Sequence, residues 1–147
     1  MTKKFVLCAD GVYVKNVKIL LVKRSVEPFK GCWHLIGGHV EANETLKEAL
    51  KREFKEETNL TVRVGDIIDG RIEETFDRIK MIVALEIIDS HGKIKLSPEN
   101  EEYGWFDEIP NNSVYNCAKY LSRRKATEET KQNFIRLKGK NLRVDGT

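Results

Sequence analysis

The order of apolar and polar residues along the first third of the chain predicts short strands. An apolar, β-branched run from Phe5 to Val14 and a second from Lys18 to Lys23 flank the turn Lys15-Asn16. Two such runs around a polar turn are typical of a β-hairpin. A third run, Trp33 to Ile36, ends in the pair Gly37-Gly38. The chain is therefore expected to begin as a hairpin followed by a short strand.

The strongest helical pattern runs from Thr45 to Thr58. Its apolar positions recur at helical spacing and make one stripe; they are Leu46, Ala49, Leu50 and Phe54. Thr45 and Glu48 have the spacing of a capping box at the start of this helix. Asn59 follows as a residue that tolerates the left-handed conformation of a helix end. The pattern thus predicts both ends of the helix.

Strand-like segments resume after the helix. They are Leu60 to Val64, Ile67-Ile68, Arg71 to Phe76, Ile79 to Ile88, the alternating Lys93 to Leu96, and Tyr103 to Phe106. Two further helices are predicted at Ser113–Leu121 and Glu128–Leu137. We interpret 1–137 as one α+β or sandwich-like domain and 138–147 as a loose basic tail.

The composition fits an ordinary soluble domain. The chain has 147 residues, of which 40% are hydrophobic and 33% charged, and its net charge is +3. This charge is too small and too scattered to favour nucleic acid as a partner. The three cysteines are far apart, which predicts reduced thiols. Without an evident signal peptide or membrane span, we expect a cytoplasmic protein that does not bind membranes.

The predicted helix carries acidic residues beside its apolar stripe. Glu53, Glu56 and Glu57 are spaced i, i+3 and i+4, so they share one face that overlaps this stripe. Three neighbouring carboxylates repel one another, and burial disfavours each charged form. Arg52 balances only part of this charge, whereas a hard divalent cation such as Mg²⁺ accepts carboxylate oxygens as ligands. The alternative is a solvated acidic patch with surface ion pairs.

The segment from Gly38 to Leu60 resembles the Nudix box. The matching positions are Gly38, Glu44, Arg52, Glu53, Phe54, Glu56, Glu57 and Leu60. Asn59 stands where the family has Gly, and Ile36 stands where many members have Pro before the two glycines. The resemblance implies a Nudix fold, which is an α/β/α sandwich with a mixed β-sheet and a catalytic loop-helix-loop.

The resemblance also implies roles for the residues of the box. Gly37, Glu53, Glu56 and Glu57 are expected to bind the catalytic metal, which is Mg²⁺ or alternatively Mn²⁺. Arg52 is expected to orient the glutamates, and Glu44 is expected to tie the loop to the helix or to position water. The general base stays open between Glu53 in the box and Glu102 in a later loop. The neighbours of Glu102, at positions 99 and 101, are further alternatives for that base.

Residues outside the box supply candidates for substrate binding. Arg24 and Arg78 are candidate phosphate ligands, and Gly38 allows the backbone to approach a ligand closely. The aromatic residues Phe29, Phe76 and Trp105 are candidates for stacking on a base, although aromatic residues on strands are more often part of the core. The histidines His34 and His39 flank the glycines, where we interpret them as structural.

The predicted function is cleavage of a diphosphate bond in a nucleoside diphosphate linked to a group X. The substrate would be ADP-ribose, another nucleotide sugar or a (deoxy)nucleoside triphosphate. One alternative is a Nudix fold that binds nucleotides without turning them over. Another is an enzyme for the 5′ end of RNA, suggested by the basic tail Lys138–Arg143. A homodimer stays open beside a monomer.

Overall fold

The computed structural model describes residues 2–114 and 117–121. The elements found there are β1 Lys4–Val12, β2 Val14–Lys15, β3 Lys18–Arg24, β4 Trp33–His34, β5 Ile36–His39, α1 Leu46–Thr58, β6 Thr61–Glu74, β7 Arg78–His91 and β8 Asn100–Phe106. In this part of the chain, no helix has the length and apolar character needed to span a bilayer.

The strands form two sheets. The first has the order β5-β1-β7-β6; β1 and β7 run parallel, and the other neighbours are antiparallel. The second contains β2, β3 and β4, with β8 paired to β3. The predicted mixed sheet and α+β fold are therefore confirmed.

Several predicted strand boundaries were wrong because tertiary pairing overrides the local pattern. The expected strand Phe5–Val14 is interrupted at Tyr13, whose buried ring packs edge-on against Trp105. The three segments expected between residues 60 and 76 form the single strand β6, with register shifts against β7. The alternating segment Lys93–Leu96 is not a strand, since the Lys95 N–H donates instead to the Thr58 carbonyl at the end of α1.

The C-terminal predictions are covered only in part. Of the expected helix Ser113–Leu121, residues 118–121 are helical. The expected helix Glu128–Leu137 and the tail at 138–147 lie outside the described residues.

The two faces of the first sheet bury different partners. On one face, Leu50 and Phe54 of α1 join a core cluster with Val83 and Leu85. An added Cβ at Gly11 in β1 would lie only 2.4 Å from the Phe54 ring, so a glycine lets α1 pack this closely. On the other face, Ala84 packs with the C-terminal residues Cys117, Tyr120 and Leu121. The sheet is thus covered on both faces, which positions α1 rigidly.

The ends of α1 form as its sequence predicts. The Thr45 hydroxyl accepts a hydrogen bond from the Glu48 N–H at 3.1 Å, and the Glu48 carboxylate accepts from the Thr45 N–H at 3.0 Å. Asn59 ends the helix in the left-handed region at φ 65° and ψ 7°. Asn tolerates this conformation, so the departure from Gly at this position leaves the helix end intact.

Candidate active site

Two glycines bring β5 close to the helix. Gly37 and Gly38 pair with Asp10 and Ala9 of β1. A Cβ added to Gly38 would lie 2.7 Å from the carboxyl group of Glu53, and one added to Gly37 would lie 2.2 Å from the Ala9 carbonyl oxygen. Both positions therefore require glycine for close approach rather than for a special turn.

Arg52 joins the loop before α1 to the acidic residues of the helix. Its Nε donates to Glu44 Oε2 at 2.7 Å and its Nη2 to Glu44 Oε1 at 2.9 Å, which is a bidentate pair. Its Nη1 contacts Glu53 at 2.8 Å and Glu56 at 3.2 Å, while Nη2 also donates to the His39 carbonyl. The hydrogen bonds from Arg52 lower the pKa of Glu44 to about 2. Arg52 thus fixes the loop-helix-loop.

Glu57 is the buried carboxylate of the site, with 7% of the residue exposed. Its oxygens accept hydrogen bonds from two neutral donors, the Gly37 N–H at 3.2 Å and Asn100 Nδ2 at 3.4 Å. Burial, followed by the charge of Glu53, raises the pKa of Glu57 to about 8. Within the described residues, no ion pair joins it to a lysine or arginine. A buried acid without a cation is a candidate metal ligand.

The other two glutamates of the helix differ in exposure. The Glu53 side chain is 15% exposed, and burial raises its pKa although Arg52 opposes this. The Glu56 side chain is 59% exposed and pairs with Arg52. Across residues 2–114 and 117–121, no three His, Cys, Asp or Glu side chains already converge as a metal site. Of the three candidate glutamates of α1, Glu53 and Glu57 line a cleft, and Glu56 does not.

A cleft of about 600 Å³ opens beside these two glutamates. Its acidic lining consists of Asp10, Glu53, Glu57 and Glu99, and its basic lining consists of Arg24, Arg78 and Lys80. A cleft lined by both acidic and basic side chains suits an anionic ligand that is bound together with a cation.

A profile of the NUDIX domain family matches residues 7–112. The chain belongs to the Nudix family of hydrolases. It is 38% identical to a Methanocaldococcus jannaschii protein named ADP-ribose pyrophosphatase, over 69% of this chain and 61% of that protein. It is 31% identical to the nucleoside triphosphatase NudI of Escherichia coli, over 71% of this chain and 82% of that protein.

The fold of a solved Nudix structure agrees with this membership. The crystal structure of a MutT NUDIX hydrolase from Burkholderia pseudomallei superposes with a TM-score of 0.73. The match has 24% sequence identity and covers 82% of this chain and 98% of that chain. Because the sequence identity is 24%, this structural similarity supports the Nudix fold alone.

Most of the residues predicted for the Nudix site lie at the cleft. Those that line it are Arg24, Gly37, Gly38, Glu53, Glu57 and Arg78. Arg52, Glu44 and Glu56 lie behind the cleft, in the ion-pair cluster around Arg52. Their predicted roles in orientation and metal binding stay predictions.

Of the alternatives for the base in the later acidic segment, the structure places Glu99 at the cleft and Glu102 outside its lining. Glu102 lies on β8, where its exposed side chain is 4.0 Å from Lys23 and does not line the cleft. Its neighbour Glu99 lines the cleft, and its charge raises the pKa of Glu57 further. Glu99 lies in the turn before β8 and a bulge separates it from Glu102, so the two side chains do not follow one alternating pattern.

Of the aromatic and histidine candidates, some line the cleft and others do not. Phe29 lines the cleft, whereas Phe76 is 81% exposed in the turn between β6 and β7, away from the cleft lining. Trp105 packs against Tyr13 and is part of the core, as strand aromatics commonly are. His34 and His39 both line the cleft, and burial lowers the pKa of each.

Three residues at or next to the cleft were missed by the sequence analysis. Asp10 is a lone acid in an apolar strand, and burial raises its pKa to about 6. Lys80 shares a strand face with Arg78, and Asn100 is a buried polar residue at the start of β8. The lone acid Asp10 and the two-residue spacing of Arg78 and Lys80 could have been recognised in the sequence. The burial of Asn100 depends on pairing with a distant strand and had no such signal.

Proposed function

We propose that the chain is a divalent-metal-dependent pyrophosphohydrolase. It would cleave the diphosphate bond of a nucleoside diphosphate linked to X and release a nucleoside monophosphate. The observation that carries this proposal is the buried Glu57 carboxylate, which is held by neutral donors beside Glu53 at a cleft. The same cleft is also lined by Arg24, Arg78 and Lys80.

The residues fit a hard divalent cation. Glu53 and Glu57 offer carboxylate oxygens, which Mg²⁺ and Mn²⁺ prefer, and the exposed Glu56 offers a further one. The neutral donors to Glu57 leave its charge for the cation, and Gly37 allows a close approach of the backbone. When bound, the cation neutralises phosphate oxygens and lowers the pKa of a bound water.

The remaining residues of the cleft bind and orient the substrate. Arg78 and Lys80 lie two residues apart on β7, so both side chains project from the same face of the sheet toward the cleft. We assign them and Arg24 to the phosphate oxygens, which guanidinium and ammonium groups bind. Phe29 offers a stacking surface for a base, and Glu99 is the candidate acceptor for the proton of the attacking water.

The substrate classes are narrowed by the relatives without being fixed. One relative is named for ADP-ribose and another for nucleoside triphosphates, and both substrates contain the required diphosphate. ADP-ribose would give AMP and ribose 5-phosphate, whereas a triphosphate would give a monophosphate and pyrophosphate. The cleft of about 600 Å³ accommodates either.

The test is a substrate panel with direct product analysis. Purified protein is incubated with Mg²⁺ or Mn²⁺ and with ADP-ribose, nucleotide sugars, dinucleoside polyphosphates, or ribo- and deoxynucleoside triphosphates. Products are separated by ion-exchange chromatography. Glu57→Gln should abolish turnover, and the matched control Glu74→Gln, at an exposed glutamate paired with Lys3, should retain it. Turnover of one class by the wild type and the control alone supports the proposal.

A nucleotide sensor without turnover is the second candidate. It would bind the same nucleotides in the same cleft, as shown by a ligand-induced rise in melting temperature, but would form no product with either cation. The intact set Arg52, Glu53, Glu56 and Glu57 favours the enzyme. The RNA alternative depends on the basic tail, which lies outside the described residues; a steep salt dependence of RNA affinity would support it.

A further inference from the structure

Asn100 is a buried polar residue set between two strands. It begins β8 and pairs with Arg24 of β3, next to a register shift, since the preceding pair is Lys23 with Glu102. The extra residue, Glu101, is exposed, whereas Asn100 is only 5% exposed. A bulge of this kind re-aims a side chain and is common beside active sites. Here the bulge turns the Asn100 amide inward, toward Glu57 and His34.

The Asn100 amide connects a histidine to the buried glutamate. Its Nδ2 lies 3.4 Å from Glu57 Oε1, and its Oδ1 lies 3.2 Å from His34 Nε2. A carboxylate only accepts hydrogen bonds, so the amide must turn Nδ2 toward an ionised Glu57 and Oδ1 toward His34. His34 Nδ1 lies 2.7 Å from the Leu35 carbonyl, which only accepts, so the single N–H of the neutral imidazole is on Nδ1 and Nε2 does not donate to the amide. The orientation of the amide is therefore set by Glu57 and not by His34.

The segment that carries Asn100 is fastened to the same helix end as Glu57. The Ser97 N–H donates to the Glu57 carbonyl at 3.1 Å, and the Asn100 N–H donates to the Ser97 carbonyl at 3.1 Å. From the other side, the Ser25 N–H donates to the Glu99 carbonyl at 2.8 Å. The distance between the amide and the carboxylate is thus set by backbone contacts on both sides, which is how a positioning group is preorganised.

We infer that Asn100 is a positioning residue that holds the Glu57 carboxylate for the divalent cation. A lysine or arginine in this place would neutralise Glu57 and compete with the cation, whereas a neutral amide orients the oxygen and leaves its charge. Partners that hydrogen-bond to ligating carboxylates commonly change metal affinity 10- to 100-fold when they are removed. The inference rests on the proposed metal-dependent function.

The experiment measures metal binding without turnover. Free Mn²⁺ is titrated by electron paramagnetic resonance against wild type and Asn100→Leu. Asn100→Leu should weaken Mn²⁺ binding roughly 10-fold or more. Asn112→Leu removes an amide that donates to the Gly31 carbonyl at 2.7 Å and should bind Mn²⁺ like the wild type.

Each outcome bears on one proposal. A merely structural role would lower the melting temperature of Asn100→Leu and leave its Mn²⁺ affinity within about twofold of the wild type, which would overturn the inference. If Asn100→Leu does not fold, Asn100→Ser, whose shorter side chain cannot reach both partners, is titrated in its place.

The failure of the inference differs from the failure of the proposed function. If the wild type binds no Mn²⁺, or binds it as well after Glu57→Gln, the proposed metal site itself is wrong. If Glu57→Gln abolishes binding while the Asn100 variants bind normally, only the inference fails. Activity gives a second readout: at saturating metal, the substrate KM of Asn100→Leu should stay close to the wild-type value.

Discussion

The stability of the metal-free Glu57→Gln variant, measured relative to the metal-free wild type, should be greater at pH 8 than at pH 5. The pKa of Glu57 is raised from 4.5 to about 8, mainly by burial and then by the charge of Glu53. The folded protein therefore holds a proton that the unfolded chain releases near pH 4.5. Stability from the neutral carboxyl is complete below that pH and is lost as the pH rises through about 8.

The size of the effect follows from the same values. Each pH unit over which only the folded state holds the proton corresponds to about 1.4 kcal/mol. Between pH 5 and pH 8 the upper limit is about 3 kcal/mol, and water entering the open cleft reduces it, so we expect about 1 to 2 kcal/mol. The glutamine at position 57 cannot ionise, so the variant does not lose unfolding free energy in this way as the pH rises. Asp10, whose pKa is raised to about 6, titrates in both proteins and cancels in the comparison.

The assay is urea denaturation of wild type and Glu57→Gln at several pH values with a chelator, and again with saturating Mg²⁺. In the chelator, the difference in unfolding free energy between the two proteins should grow in favour of the variant as the pH rises. Mg²⁺ should stabilise the wild type most at high pH and the variant little, since binding to the folded state adds stability. Parallel pH profiles, or an equal response to Mg²⁺, would refute the reasoning.

Three further substitutions test the rest of the site. Gly38→Ala places a Cβ 2.7 Å from the Glu53 carboxyl group and should lower kcat about 100-fold while melting within a few degrees of the wild type; unchanged kcat would contradict the close approach. Glu99→Gln should lower kcat about 100-fold or more, whereas Glu102→Gln, outside the cleft lining, should stay near the wild-type rate; the reverse order would return the base to Glu102. Thr45→Ala removes the capping hydroxyl of α1 and should lower the unfolding free energy by about 1 kcal/mol in urea, and no loss would mean that the capping box contributes little.

The parts of the site that could be predicted from sequence are those fixed by local contacts. The helix α1, its Thr45–Glu48 capping box and its Asn59 end depend on residues within one turn of each other, and all three form as expected. The grouping of Glu53 with Glu57 follows from helical spacing alone. For such features, neighbours along the chain carry the information.

The parts that could not be predicted depend on pairing between distant strands. Asp10 reaches the site because β1 lies between β5 and β7, and Lys80 reaches it because β7 runs parallel to β1. Asn100 points inward because of a bulge opposite Arg24, which shifts the alternation of β8 by one residue. A one-residue change of register moves a side chain to the other face, so Glu102 and Glu99 could not be told apart from the sequence.

The acidic residues around α1 are tolerated because Arg52 pairs with three of them and a raised pKa keeps the fourth, Glu57, protonated. Glu44, Glu53, Glu56 and Glu57 carry up to four negative charges against the single positive charge of Arg52. Arg52 contacts the first three, whereas Glu57 accepts hydrogen bonds from two neutral donors. A raised pKa lets Glu57 stay protonated when no metal is bound. In the proposed metal-dependent enzyme, binding of a divalent cation would displace that proton, so the burial of Glu57 would make metal binding dependent on pH.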